Sequence, residues 1–126
     1  MTQTLTLTVH RSNLLTSNER RHRMNVAAIT KTLRHAAGMT ARAVGLVPMT
    51  GPVRILVTVA WPDRRRRDVP NIYPTVKACV DGIVDAGVLT DDDDGHVESM
   101  TFRRSPELSG LAATTRIAIT LEEVRP

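Results

Sequence analysis

Val53, Ile55, Val57, Val59 and Trp61 occupy alternate positions of a single run, and no other segment restricts the fold of this chain as much. A period of two is the pattern of a strand with one face on a core. The opposite face carries Leu56 and Ala60, which are apolar too, so the strand is expected inside a sheet rather than at its edge. Pro62 closes it. Leu5, Leu7 and Val9 alternate with Thr4, Thr6 and Thr8 and predict a first strand. Segments 96–103 and 114–122 read as two more, with Ile117, Ile119 and Leu121 as the apolar face of the last.

Between strands the apolar period lengthens to that of a helix. Val26, Ile29, Leu33, Ala36 and Ala37 share one face of a helix over 24–44, which Gly45 and Pro48 end. The stretch LLTSNERRHR before it reads as polar. A second helix spans 74–86. Pro74 suits its first turn, where a missing N–H costs nothing, and Gly87 suits its C′ position. Val76, Val80, Ile83 and Val84 form its buried stripe with Cys79 beside them, while Lys77, Asp81 and Asp85 follow the polar side at four-residue intervals. The order β-α-β-α-β-β predicts an α/β (α+β) fold: a small mixed sheet of about four strands carrying two helices. A chain of 126 residues supports one core, so residues 1–126 are expected to form a single domain.

Composition narrows the function. One Phe, one Tyr and one Trp are too few for a platform that stacks unpaired bases. Fifteen Arg stand against two Lys in a chain of net charge +4. Arginine's planar, always-charged fork suits phosphate, although a GC-rich genome gives the same bias. A lone cysteine, Cys79, excludes an internal disulfide and reads as a buried thiol. The opening MTQTLTLTVHR has no basic segment followed by an apolar one, and no apolar run has the length of a membrane span, so a cytosolic protein is expected.

Two charge clusters stand out. Arg64 to Arg67 repel one another and lead directly into Asp68. A solvated loop is the plain reading; the alternative is an arginine brace on phosphate beside a metal-binding carboxylate, as metal-assisted phosphodiester hydrolysis needs. Asp91 to Asp94 follow the second helix, and an acidic turn competes there with an oxygen-ligand site for Mg²⁺ or Mn²⁺. No Glu follows at the spacing of a calcium-binding loop. Lys77 either pairs with Asp81 along the helix or stabilises charge on a reacting phosphate. His10 and His35 read as surface residues, His22 as a possible phosphate contact, and His96 as a strand-start residue or a neighbour of a metal. There is no zinc-ligand spacing, and the glycines around Gly45 and Gly51 lack the phosphate-loop pattern, so no nucleotide cofactor is expected.

The stretch RRRRDVPNIYPTVKACVDGIVDAGVLTDDDDGHV, residues 64–97, resembles the heart of the RusA family of crossover-junction endodeoxyribonucleases, which occur in phages and prophages. That family places an Asp and an Asn in a loop, then a K-x-x-x-D helix, an A-G-V-like stop and a paired Asp. The matching positions are Asp68, Asn71, Lys77, Asp81, Ala86-Gly87-Val88 and Asp91-Asp92. LTSNERRHR, residues 15–23, is similar to the family's N-terminal polar motif and carries Asn18, Arg20 and Arg21. Two departures stand beside the match: Pro70 occupies the place of a second acid, and about three extra residues separate Asn71 from Lys77.

The resemblance implies a homodimeric, Mg²⁺-dependent endonuclease (Mn²⁺ being the alternative ion) that cuts Holliday junctions or other branched DNA in a bacterial host cell. It implies Asp68 and Asp92 as the main metal ligands, with Asp91, Asp93 or Asn71 assisting, and Lys77 as the third catalytic group. Arg64, Arg65, Arg66 and Arg67, with Asn18, Arg20 and Arg21, would hold DNA. With Pro70 in place of an acid, a junction-binding protein of reduced activity is the other expectation. About twelve helical residues, or about 18 Å, separate Asp68 from Asp92. A shared site therefore needs either a loop folded back along the helix or Asp92 supplied by a second chain.

Overall fold

A computed structural model describes residues 1–124. The strands are β1 (Thr2–His10), β2 (Val53–Ala60), β3 (Val97–Arg104) and β4 (Thr114–Glu123); the helices are α1 (Arg23–Ala43) and α2 (Tyr73–Asp85). One-turn 3-10 helices at Arg11–Asn13 and Val69–Ile72 follow β1 and lead into α2. The sheet order is β1-β4-β2-β3. β4 runs antiparallel to both β1 and β2, whereas β3 lies parallel to β2. The parallel pair is joined through α2, as a crossover connection requires. The expected mixed sheet and element order are present; the helices and the last two strands begin and end within about a residue of expectation, while β1 starts two residues before Thr4.

β2 is interior because both its faces and both its edges are used. Val53, Ile55, Val57 and Val59 are buried and meet Ile117, Ile119 and Leu121 across the β4 register. Leu5 and Val9 extend the same layer from β1. Leu33, Ala37 and Ala41 of α1 and Val76, Cys79, Val80 and Ile83 of α2 belong to the same core. On the opposite face, Leu56 and Thr58 of β2 are half-buried and the β1 threonines are exposed, with Thr4 Oγ1 3.0 Å from Thr120 Oγ1.

The helices cross at glycines. A Cβ at Gly82 would lie 2.2 Å from the carbonyl oxygen of Arg34 and 2.9 Å from the amide nitrogen of Gly38, so α1 and α2 pack backbone to backbone. Gly45 and Gly87 end the helices at φ of +76° and +79°, conformations that favour glycine. Trp61, expected as the last strand residue, lies past the end of β2; it is 6 % exposed, with the Arg67 guanidinium 4.9 Å from its ring centroid. Leu15, in the stretch read as polar, is a core residue. Among the described residues, no helix is long and apolar enough to cross a membrane.

Candidate functional site

β2 and β3 run parallel and therefore release their chains at the same end of the sheet, where the loop 61–68 leaves β2 and the segment 105–109 leaves β3. The start of α2 and the segment after β1 reach this end as well. Leu15 holds them together: its N–H donates to Thr75 Oγ1 at 2.8 Å, and the Thr75 hydroxyl donates to the Leu15 carbonyl at 2.8 Å. Thr75 is fully buried on α2, so its hydroxyl satisfies two backbone groups that would otherwise be orphaned. The Ser17 amide donates to the Asn71 carbonyl at 2.7 Å. Threonine inside an apolar helix stripe gave no sequence signal for this tie.

The clamp brings two distant motifs into one cavity of ≈ 250 Å³, lined by Asn18 from the first segment and by Arg67, Asp68 and Asn71 from the second, with Trp61 and Ile72 among its apolar walls. Asp68 caps the 3-10 turn without a side-chain hydrogen bond, so its carboxylate is not used up in holding the backbone. Arg67 is committed: it stacks on Trp61 and donates to Asp63 Oδ1 at 2.6 Å. That hydrogen bond, and a second from the Arg65 amide, hold the Asp63 carboxyl below its usual range. Arg64, Arg65 and Arg66 are exposed. Arg21, expected on DNA, binds the Leu14 and Arg11 carbonyls and Glu19 instead and so shapes its own loop, while Arg20 is exposed.

The second cluster lies on α2. Lys77 Nζ donates to Asp81 Oδ1 at 2.8 Å, the pairing along the helix, and also to Asp92 Oδ2. Burial alone would lower the Lys77 pKa; the two carboxylates outweigh it and raise it. Lys77 in turn holds Asp92 below the usual carboxylate range. The acidic loop therefore folds back within its own chain, since Lys77 is the fifth residue of α2. Asp91 Oδ1 accepts the Asp92 amide at 2.7 Å. Asp93 Oδ1 lies 2.5 Å from His96 Nδ1; this contact lowers Asp93 and raises His96.

Three of the four adjacent aspartates, Asp91, Asp92 and Asp93, thus have local partners. Asp91, Asp92 and Asp93 do not line the cavity of Asp68 and Asn71, and among the described residues no three His, Cys, Asp or Glu side chains gather as a metal-binding group. An all-protein cage for a cation is not formed by these residues. One carboxylate with neighbouring carboxamide oxygens does fit Mg²⁺, which commonly keeps waters and takes its remaining ligands from a phosphate. No protein-family model matches the chain, and no curated protein matches it.

Proposed function

We propose that the chain is a Mg²⁺-dependent endonuclease acting on Holliday junctions or other branched DNA in recombination and repair. One observation carries the reading: Asn18, Asp68 and Asn71, which the RusA likeness places in two separate motifs, line one cavity at the arginine-rich end of the sheet. In this reading Asp68 and Asn71 hold the cation, and Asn18 orients substrate beside them. The bound ion, Mg²⁺ or Mn²⁺, supplies polarisation of the phosphoryl oxygen and an activated water. Arg64, Arg65 and Arg66 hold backbone phosphate next to that cavity, and Arg20 adds a further contact. Lys77, positioned by Asp81 and Asp92, offsets charge developing on phosphate. Asp92, which lies outside that cavity, acts in this reading through Lys77, whose ammonium it positions.

The experiment is incubation with a mobile synthetic four-way junction and Mg²⁺, read for paired symmetric nicks. Junction binding with no nicks at saturating Mg²⁺ or Mn²⁺ would overturn the endonuclease. A second reading, a junction-binding protein of reduced activity, is favoured by Pro70 at the place of an acid and by the lack of a three-acid group among the described residues. That same result would select it. Loss of all structure-selective binding would remove both.

A further inference from the structure

Beside the Asp68 cavity, and sharing Trp61 and Arg67 with it, lies a groove of ≈ 340 Å³ with two charged walls. The arginine run 64–67 forms one wall; Arg104, Pro106 and Leu108, from the segment that leaves β3, form the other. Pairing within the sheet fixes the second wall. Arg104 stands opposite Val59 in the β2–β3 register, the Ser105 amide donates to the Val59 carbonyl at 2.8 Å, and the Ser109 amide donates to the Trp61 carbonyl at 2.8 Å.

Five guanidinium groups line this groove against two carboxylates, Asp63 and Glu107. Asp63 is already taken by Arg67 at 2.6 Å and lies 3.8 Å from Arg65. Among the described residues, Arg64, Arg66 and Arg104 have no carboxylate in ion-pair contact. A cleft that concentrates one sign of charge focuses its field on a counter-ion of the other. Trp61 is buried beneath Arg67, so the groove offers no aromatic face to a base.

We propose that this groove is a phosphodiester-backbone channel, gripping one DNA strand between the arginine run and Arg104 without reading its sequence. The inference rests on the endonuclease reading for its ligand and extends it. A strand lying in the channel passes Trp61 and Arg67 and presents its next phosphate to the cavity of Asp68. Arg104, which carried no motif in the sequence, is then a DNA-binding residue equal in standing to Arg64 and Arg66.

The test measures binding of a labelled oligonucleotide by the full chain in EDTA, as a function of salt, so that cleavage plays no part. Arg104→Ala is expected to weaken binding roughly 3–10-fold at moderate salt and to reduce the slope of log affinity against log salt by about 0.7–0.9, the value of one phosphate contact. Arg104 is exposed and makes no side-chain hydrogen bond among the described residues, so an unchanged circular dichroism melt accompanies the loss. Arg54→Ala, on a side chain paired with Glu98 and Glu122, leaves the slope unchanged. Inorganic phosphate at millimolar concentration competes only weakly if the ligand is a polymer backbone; displacement of the oligonucleotide by stoichiometric phosphate would overturn the channel in favour of a small-anion site. An Arg104→Ala protein with native affinity and slope would also overturn the channel, yet it leaves the endonuclease standing wherever the wild type still nicks junctions. Arg104-dependent binding without nicking would instead keep the channel and remove the endonuclease.

Discussion

Asp92 has a neutralising partner of its own, and this decides what its substitution does. Its carboxylate meets Lys77, which keeps Asp81 as a second partner, and a partly exposed ion pair of this kind is worth about 0–1 kcal/mol. Asp92→Asn is therefore expected to leave the fold intact and junction binding equal or tighter, since a negative charge near phosphate is gone, while cleavage is abolished. Nicking at a near wild-type rate would remove Asp92 from the mechanism. His96 offers a separate test. Contact with Asp93 raises its pKa, so protonated His96 stabilises the folded loop. The stabilisation is complete below the ordinary histidine pKa of about 6.5 and is lost as pH rises through the higher folded value. A histidine titration followed by NMR should place the His96 midpoint above that ordinary value, and Asp93→Asn should move it down; a midpoint unaffected by Asp93→Asn would contradict the pairing.

Among the elements, the α1–α2 crossing sets the position of α2 and of everything that precedes it. Gly82→Ala poses two opposed effects. Alanine in place of glycine favours a helix by about 1 kcal/mol. The added Cβ, however, falls 2.2 Å from the Arg34 carbonyl oxygen, a backbone atom that can move only if the helices separate. Overpacking costs typically 1–3 kcal/mol and more when backbone must shift, so the clash wins and a net loss of about 1–3 kcal/mol is expected in urea unfolding. A variant as stable as wild type would show that the helices are free to spread. The elements themselves were legible because each is periodic: β2 alternates through its whole length, and Gly45 and Gly87 sit where the helices stop. The Gly82 crossing was not legible, because a glycine in a helix looks the same whether it is tolerated or required. Leu15 blends with its polar neighbours for a similar reason: its partner Thr75 lies sixty residues away, and pairing at that separation leaves no local period. Of the site, the arginine run and the acidic loop were visible as charge. Their division of labour was not: Arg67 and Arg21 serve their own loops, and Arg104 depends on strand register.

At the scale of the whole molecule the open matter is how many chains build one site. Resolving a four-way junction takes two nicks in strands of like polarity, which a two-fold pair of sites supplies directly, and a homodimer is proposed here on that ground. The length of α2 left two ways to combine Asp92 with residues that precede the helix: a loop folded back along it, or a second chain. The contact between Asp92 and Lys77 belongs to the first arrangement, since both lie in one chain and the loop has already returned most of the way along α2. Mixing Asp68→Asn and Asp92→Asn proteins, under conditions where subunits exchange, is therefore expected to give no cleavage. Every site in the heterodimer then lacks one carboxylate or the other. Recovery of single nicks in the mixture would mean that one chain supplies Asp68 and its partner Asp92, and would make the intrachain contact a resting arrangement rather than the working one. A chain that sediments as a monomer at micromolar concentration, yet still makes paired nicks, would remove the dimer from the proposal.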